Sequence, residues 1–303
     1  MPIEVSQLRE TLIYTIQSPL VNILDDLEQI KEIDVVAESK QKEYLEKALF
    51  YFVGLVSALF LTAILISQNT KTLILSLFIA LLVIIDIALI IGLSYALVER
   101  GKFKRLNFKN YRYDLTKQLL QMLFRDMDAA SIFDLKLSFR PLESQENKIG
   151  TIPHPYKPGW KIDNYRDEWL GIQGQFVDKT RFYLSLTELF KKQYGWKRGS
   201  SGKQKYKTKS SHLGLDINLK LAYPQRRYGA VKLLQNEVNN AVQLHPSSTL
   251  RLIKITDKAI HINVRVPRQF DEDKNILYAT ITSMFLSCYQ VLNLAKRLSK
   301  QSV

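Results

Sequence analysis

The chain has 303 residues, long enough for one or two domains, and its 43 Lys and Arg outnumber its 29 Asp and Glu to give a formal net charge of +14. The excess is unevenly placed, since residues 1–48 have a net charge of −5 and residues 100–303 one of +20. This asymmetry favours an anionic partner for the basic part. The single cysteine, Cys288, excludes an intramolecular disulfide and fits a reducing compartment. Acidic side chains among the first 30 residues argue against a secretory signal peptide.

Residues 1–48 predict an acidic helical head that forms a bundle or coiled coil. An apolar seam with spacings of three, four and three residues consists of Leu20, Ile23, Leu27 and Ile30. Pro19 is expected to separate this helix from an earlier one. The earlier helix would carry Val5, Leu8 and Leu12. By charge alone the head fits the basic part of the chain, within one chain or between chains.

Two long apolar runs follow, at about residues 49–68 and 72–97, and they predict a transmembrane hairpin over 49–97. The first run contains no charged side chain and the second contains one, Asp86. About 20 apolar residues in a helix cross a hydrocarbon core of ~30 Å. A buried hairpin of a soluble protein is the alternative, and two such runs in succession disfavour it. The turn between the runs has room only for a tight connection, so both chain termini are expected on one side.

The residues directly after the second run predict the orientation of the hairpin. This basic juxtamembrane cluster contains Arg100, Lys102, Lys104 and Arg105, whereas the turn on the other side offers only Lys71. By the positive-inside rule, both termini and the main domain lie in the cytoplasm, at a prokaryotic plasma or internal membrane. Residues 98–128 then predict a basic juxtamembrane segment and an amphipathic helix. The apolar side of that helix contains Leu115, Leu119, Leu120 and Leu123.

Small residues recur every four positions in both runs and predict close helix packing. They are Gly54, Ala58 and Thr62 in the first run and Ala88, Gly92 and Ala96 in the second. Packing inside the hairpin is favoured over packing between subunits, and a homo-oligomer is expected from either the seam or these residues. Asp86 lies near the middle of its run, with Ser76 and Ser94 loosely flanking its face. A structural hydrogen bond is favoured for Asp86, and an ion or proton path in an oligomeric pore is the alternative.

Residues 129–303 predict a basic α+β domain with a mainly antiparallel sheet and a long C-terminal helix. Strict alternation of polar and apolar residues predicts strands at 132–140, 213–221, 249–255 and 259–266, and hairpins around 178–180 and 257–258. Residues 141–165 are predicted to be a loop and residues 229–244 a helix. The buried strand face at 213–219 is expected to include Leu213, Leu215, Ile217 and Leu219. The apolar face of the last helix is expected to pack on the sheet, and a free coiled coil is the alternative.

The most basic stretch is WKRGSSGKQKYKTK, residues 196–209, with six cationic side chains and no acid. It is predicted to be a long loop or the protruding end of a hairpin, with alternate lysines on one face if it is extended. The predicted anion- or lipid-binding residues are Trp196, Lys197, Arg198, Lys203, Lys205, Lys207, Lys209, Arg226 and Arg227. Three interpretations compete: contact with anionic lipid or an acidic protein, binding of nucleic acid through phosphates and stacking, and a solvated hairpin that protects a sheet edge.

The sequence shows no arrangement typical of catalysis, so no enzyme activity, cofactor or metal is expected. The four histidines are scattered without metal-ligand spacing, and Cys288 falls on an apolar helix face. GSSGK at 199–203 lacks the spacing of a phosphate-binding loop. We therefore expect a membrane-anchored assembly, scaffold or regulatory protein. The alternatives are an oligomeric channel or membrane-disrupting effector, and a membrane-tethered binder of nucleic acid or nucleotides.

Overall fold

A computed structural model of the chain describes residues 8, 10–67, 73–128, 130–199, 202–229, 231–234 and 242–301. The helices are α1 (Leu20–Ser67), α2 (Leu73–Leu106), α3 (Asn110–Phe124), the short α4 (Gln225–Tyr228) and α5 (Lys274–Gln301). The strands are β1 (Ile13–Pro19), β2 (Ile132–Ser138), β3 (Lys148–Pro153), β4 (Lys161–Gln175), β5 (Arg181–Arg198), β6 (Gln204–Ala222), β7 (Thr249–Ile255) and β8 (Ala259–Val266). The chain divides into two compact units, one of which is Glu28–Phe108 and the other the remaining residues.

The Glu28–Phe108 unit is an antiparallel hairpin of two long helices. The Tyr44 ring near the start of the unit stacks on Phe103 near its end, at 5.8 Å between centroids. Further along, Thr62 of α1 meets Asp86 of α2. Both helices continue beyond the apolar runs, and α1, with 48 residues, is about 72 Å long at 1.5 Å per residue. Both are long and apolar enough to cross a membrane.

The contact between the two helices follows a seven-residue repeat. Buried and half-buried residues of α1 alternate in steps of four and three at Ile30, Asp34, Ala37, Gln41, Tyr44, Ala48, Tyr51, Leu55, Ala58, Thr62 and Leu65. Those of α2 do so at Ile79, Leu82, Asp86, Leu89, Leu93, Ala96, Arg100 and Phe103. A sustained repeat of this period is the packing pattern of a left-handed coiled coil. This repeat begins at Ile30, the last residue of the seam predicted for the head, and runs through both apolar stretches.

The other unit is built on one eight-stranded antiparallel sheet in the order β1-β2-β4-β5-β6-β8-β7, with β3 paired to β4. β2 and β3 share one edge of β4, because β2 pairs with its residues 170–173 and β3 with its residues 161–165. The antiparallel sheet and its C-terminal helix confirm the predicted secondary-structure content of this part. Both predicted hairpins are present, β4–β5 around Asp178–Thr180 and β7–β8 around Asp257–Lys258.

The N-terminal residues differ from the predicted all-helical head. Ile13–Pro19 is a strand that pairs with β2 along its whole length, from Ile13 opposite Ser138 to Pro19 opposite Ile132. Tyr14 and Ser18 point to the buried face, and Pro19 ends the strand where α1 begins. An edge strand tolerates this proline because its missing N–H is not needed for a further neighbour. The sheet domain therefore includes residues far from it in sequence.

Helices α3 and α5 contact each other, and α5 also contacts β6 and β8. The predicted apolar face of α3 is buried at Leu115, Leu119, Leu120 and Leu123. On α5 the buried residues include Leu277, Ile281, Met284, Cys288 and Leu292. The expectation that the last helix packs on the sheet is thus confirmed. Burial also raises the pKa of the Cys288 thiol, which keeps it protonated and weakly reactive.

Two details of the basic domain differ from the sequence prediction, and a third lies partly outside the described residues. The predicted loop 141–165 contains β3 and the first residues of β4. Leu213 is exposed because a bulge interrupts the alternation of β6 at that point. Of the predicted helix 229–244, residues 230 and 235–241 are outside the described residues, and Val231–Leu234 forms a 3-10 turn.

Candidate anion-binding surface

The basic stretch is the end of the longest hairpin in the described sheet. β4 pairs with β5 only as far as Tyr194, and β8 pairs with β6 only from Leu215 onward. Beyond Tyr194, β5 and β6 continue as a two-stranded ribbon in which Arg198 pairs with Gln204. The prediction of a protruding hairpin is therefore confirmed. We call residues 195–209 the basic ribbon.

The two faces of the basic ribbon carry different chemistry. Directly opposed residues of an antiparallel pair share a face. The pairs Lys197↔Lys205, Gly195↔Lys207 and Gln193↔Lys209 place Lys197, Lys205, Lys207 and Lys209 together on one face. On the other face Trp196 lies opposite Tyr206, with ring centroids 5.4 Å apart. Trp196 is 62% exposed and Tyr206 53% exposed, so this face presents an aromatic patch to solvent.

The segment before β4 adds to the lysine face, although its residues were not among those predicted to bind an anion. The indole Nε1 of Trp160 donates a hydrogen bond to the Trp196 carbonyl oxygen at 3.1 Å. The Trp160 ring covers Gly195, where a side chain would collide with it. Lys157 Nζ lies 4.6 Å from the centre of the Trp160 ring, within the range of a cation–π contact. Together with Tyr156 and Arg198, these residues line a groove of about 530 Å³ that also contains Lys207 and Lys209.

The lysines of the ribbon have no anionic partner among the residues that the structure describes. The side chains of Lys197, Lys203, Lys205, Lys207 and Lys209 are all exposed, and their ammonium groups form no ion pair or hydrogen bond within the described part of the chain. The neighbouring Lys192, by contrast, is neutralised by Glu143 at 2.5 Å. The ribbon therefore offers uncompensated positive charge that is available to an external anion.

Arg226 and Arg227, which the sequence grouped with the basic stretch, lie apart from the basic ribbon in the structure. They lie on α4, beyond the far end of β6, which is roughly 60 Å long at ~3.3 Å per residue. Arg227 lines a separate cavity of about 610 Å³ with Phe176, Phe285 and Tyr289. In it the Asp178 carboxylate accepts hydrogen bonds from the Tyr228 and Tyr289 hydroxyls. Burial and this bond raise the pKa of Tyr228 to about 12.

In the apolar part of the helical hairpin, the charged residue Asp86 is buried whereas most of the large apolar side chains are exposed. The Thr62 hydroxyl shares its single proton between the Ala58 carbonyl oxygen at 2.9 Å and the Asp86 carboxylate at 3.4 Å. Ser76 and Ser94 are exposed, so the structure does not bring them to Asp86.

Most of the small residues predicted to pack do lie in the contact between the helices. Gly92 is covered by the Tyr51 ring, and a β-carbon on Gly54 would meet Leu89 at 3.5 Å. Ala58 is half-buried. Ala88, however, is exposed, because the repeat of α2 passes through Asp86 and Leu89 instead.

The predicted juxtamembrane cluster lies on the last turns of α2, which stays helical to Leu106. Lys102, Lys104 and Arg105 are exposed, and Arg100 is half-buried on the seam. Lys102 pairs with Glu99 of its own helix at 2.5 Å.

The described residues define a class of protein: a long apolar helical hairpin joined to an antiparallel-sheet domain with a basic ribbon. No protein-family model, curated protein or solved structure matches this chain.

Proposed function

We propose that the protein is anchored in a membrane by α1 and α2, and that its basic ribbon binds anionic lipid headgroups on the cytoplasmic face. In this proposal the protein is a non-catalytic assembly, scaffold or regulatory component, and it works as a homo-oligomer.

Membrane anchoring is supported by the side chains that the hairpin leaves uncovered. Phe50 is 74% exposed, Phe60 70% and Ile91 64%. In the most apolar part of each helix few residues are buried at all. A core helix of a soluble protein would bury this surface, because each exposed apolar Å² costs about 25 cal/mol in water. Hydrocarbon removes that cost, and Asp86 is turned towards Thr62, away from the exposed side.

Lipid binding is carried by one observation, the two-faced basic ribbon. Unpaired lysines near an anionic bilayer are attracted by about 1 kcal/mol each. The Trp196–Tyr206 pair on the other face suits the headgroup region, where amphipathic aromatic rings are favoured. A tethered domain meets the bilayer at high effective concentration, so weak contacts suffice. The basic residues that end α2 support a cytoplasmic location of the sheet domain in this proposal, because positive charge next to a membrane span favours the cytoplasmic side.

The test uses the full chain, because β1 precedes the helical hairpin in sequence and a fragment starting after α2 would lack this strand. The protein is reconstituted in phosphatidylcholine nanodiscs and mixed with vesicles with or without phosphatidylserine. We expect flotation with phosphatidylserine vesicles only, weakened by salt. The variant with Lys203, Lys205, Lys207 and Lys209 changed to Gln should bind more than tenfold more weakly, since four lysines at about 1 kcal/mol each are removed.

A matched control removes the same charge elsewhere on the sheet. Lys220, Arg251, Lys254 and Lys258 are exposed near the β7–β8 hairpin, and their change to Gln should leave most of the binding intact. If both variants lose vesicle binding equally, net charge alone explains the binding, and the proposal of a defined binding surface is wrong. If the nanodiscs bind single-stranded RNA tightly but do not bind phosphatidylserine vesicles, the ligand of the basic ribbon is nucleic acid and the lipid-binding proposal is wrong. Release of the native protein from membranes by alkaline carbonate would contradict the anchor itself.

A further inference from the structure

Three side chains with metal-ligating atoms meet at the sheet domain, although they are far apart in sequence. Glu188 lies on β5, His212 on β6, and Asp271 follows a 3-10 turn just before α5. One ligand atom from each lies within 4.8 Å of the other two. His212 Nδ1 is 3.3 Å from Glu188 Oε1.

A bulge in β6 builds this arrangement. Leu189 pairs with Gly214 whereas Phe190 pairs with His212, so Leu213 is the additional residue. His212 therefore shares a face with Phe190, and Phe190 shares that face with Glu188 two residues earlier. The Phe190 ring packs against the His212 imidazole in a T-shaped contact, with 5.0 Å between the ring centroids.

Gly214 brings the third ligand close. Its φ is +99°, and a β-carbon there would lie 2.3 Å from the Val266 carbonyl oxygen and 3.3 Å from the Arg268 nitrogen. Only a glycine permits this approach of β6 to the chain that leaves β8. That chain reaches Asp271 within a few residues, which places its carboxylate beside His212 and Glu188.

The charges around these side chains do not balance. Arg112 is buried between Asp167 at 3.1 Å and Glu188 at 2.8 Å. Lys109 bridges Glu188 at 3.4 Å and Glu272 at 2.7 Å. The carboxylates of the cluster are Asp167, Glu188, Asp271 and Glu272, and its permanent cations are Arg112 and Lys109. When all are ionised, the excess negative charge equals that of one divalent cation.

Glu272, Asp167 and Glu188 each pair with a cation, and Asp271 lies mostly buried beside them. It is only 7% exposed, and its carboxylate has no hydrogen bond or ion pair within the described part of the chain. Its oxygens are not among the fully enclosed polar atoms that lack a partner, so they remain in contact with solvent and open to a metal ion.

We propose that Glu188, His212 and Asp271 bind a divalent transition-metal ion, with Zn²⁺ the best match and Mn²⁺ the second. One imidazole nitrogen and two carboxylate oxygens suit these ions, whereas Mg²⁺ prefers oxygen ligands alone. Around a tetrahedral ion with bonds of about 2.1 Å the ligands lie about 3.4 Å apart. His212 and Glu188 already have this separation. Lys109 yields its place readily because Glu272 is its closer partner.

The site has a solvent-accessible side. The His212 side chain is 32% exposed, whereas that of Glu188 is 2% exposed. A metal ion therefore reaches the three ligands from the His212 side, and water completes its coordination there. Bound metal would tie together β5, β6 and the segment that leads into α5.

The experiment uses the untagged full chain in detergent, dialysed against Zn²⁺ or Mn²⁺, with metal analysis and thermal unfolding as separate readouts. We expect one metal ion per chain and a raised unfolding midpoint. Asp271→Asn should weaken binding at least tenfold and abolish the metal-induced shift. In EDTA the same variant should unfold at a higher temperature than the wild type, because it removes a negative charge that lies beside those of Glu188 and Glu272. A merely destabilised variant would not show this pair of effects.

His212→Gln should also lose binding, while two controls should keep it. Asp114→Asn changes a carboxylate outside the cluster that pairs with Lys274, and His261→Gln removes a histidine on β8. Absence of Zn²⁺ and Mn²⁺ binding in the wild type would overturn the proposal. So would binding that persists in both Asp271→Asn and His212→Gln. Either outcome leaves the lipid-binding proposal unaffected, since the basic ribbon is a different part of the surface.

Discussion

The indole ring of Trp160 lies so close to Gly195 that a β-carbon on Gly195 would come within 2.6 Å of it. Gly195 is directly opposite Lys207, so the ring lies beside the lysine face of the basic ribbon. The hydrogen bond from Trp160 to the Trp196 carbonyl fixes its position from the other side. The groove therefore depends on a glycine whose φ is ordinary and whose role is to leave space for an aromatic ring.

Changing Gly195 to Ala should displace Trp160 and, with it, Lys157. Forcing a methyl group into a filled space costs about 1–3 kcal/mol. We expect a lower unfolding midpoint and weaker flotation with phosphatidylserine vesicles, although no charge has changed. Gly150→Ala is the matched control, because Gly150 is also a strand glycine and a β-carbon there meets nothing within 4 Å. Unaltered vesicle binding in Gly195→Ala would show that the lysines act without the groove.

Arg112 is the buried cation on which the charge network of the sheet domain depends. Its guanidinium binds Asp167, Glu188 and the Ser138 carbonyl oxygen. Arg112→Met should destabilise the domain by about 3–5 kcal/mol, because two buried carboxylates lose their partner. Urea unfolding of the full chain in detergent measures this. Lys102→Gln breaks an exposed pair with Glu99 and should leave stability almost unchanged. A loss below about 1 kcal/mol in Arg112→Met would mean that solvent reaches the carboxylates.

The Thr62–Asp86 contact predicts a small energetic coupling between the two helices. Interhelical hydrogen bonds in membranes average about 0.6 kcal/mol in double-mutant cycles. A cycle of Thr62→Val and Asp86→Ala, followed by unfolding in mixed micelles, should give a coupling of about that size. Ser57 donates to its own helix at Val53, so Ser57→Ala should show none with Asp86. A cation conductance that disappears in Asp86→Asn, together with zero coupling to Thr62, would favour the channel alternative.

The spacing of apolar residues in the sequence predicted much of the fold. The strands at 132–138, 249–255 and 259–266 and the faces of α3 and α5 follow directly from the spacing of apolar residues. Strand β1 was not predicted, because buried and exposed residues do not alternate regularly along it. The helical repeat that follows it dominates the pattern of the acidic head. The ribbon was predictable from its charge, but its groove was not. Trp160 meets Gly195 only through the β4–β5 register, which joins residues more than thirty positions apart.

The meeting of Glu188, His212 and Asp271 could not be predicted from the sequence for a related reason. Glu188 and His212 are 24 residues apart, and no local spacing relates them to Asp271. Their meeting depends on the extra residue at Leu213 and on the tight approach at Gly214. Without the bulge, alternation predicts Leu213 on the buried face and His212 on the polar one. A glycine that interrupts a well-patterned strand was the one available signal, since such glycines often mark bulges.

His261 provides a test of pH dependence at a distance from both proposed sites. It lies between Lys220 on β6 and Lys254 on β7, directly opposite each. Burial and then the charges of these two lysines lower its pKa below the ordinary 6.5. Because the folded protein resists protonation at this position, stability is lost as the pH falls through that ordinary value.

The unfolding midpoint of the wild type should therefore drop more between about pH 7.5 and pH 5 than that of His261→Gln. Lys220→Gln with Lys254→Gln should reduce the same drop. Identical pH profiles for all three proteins would show that His261 titrates as freely in the folded state as in the unfolded one.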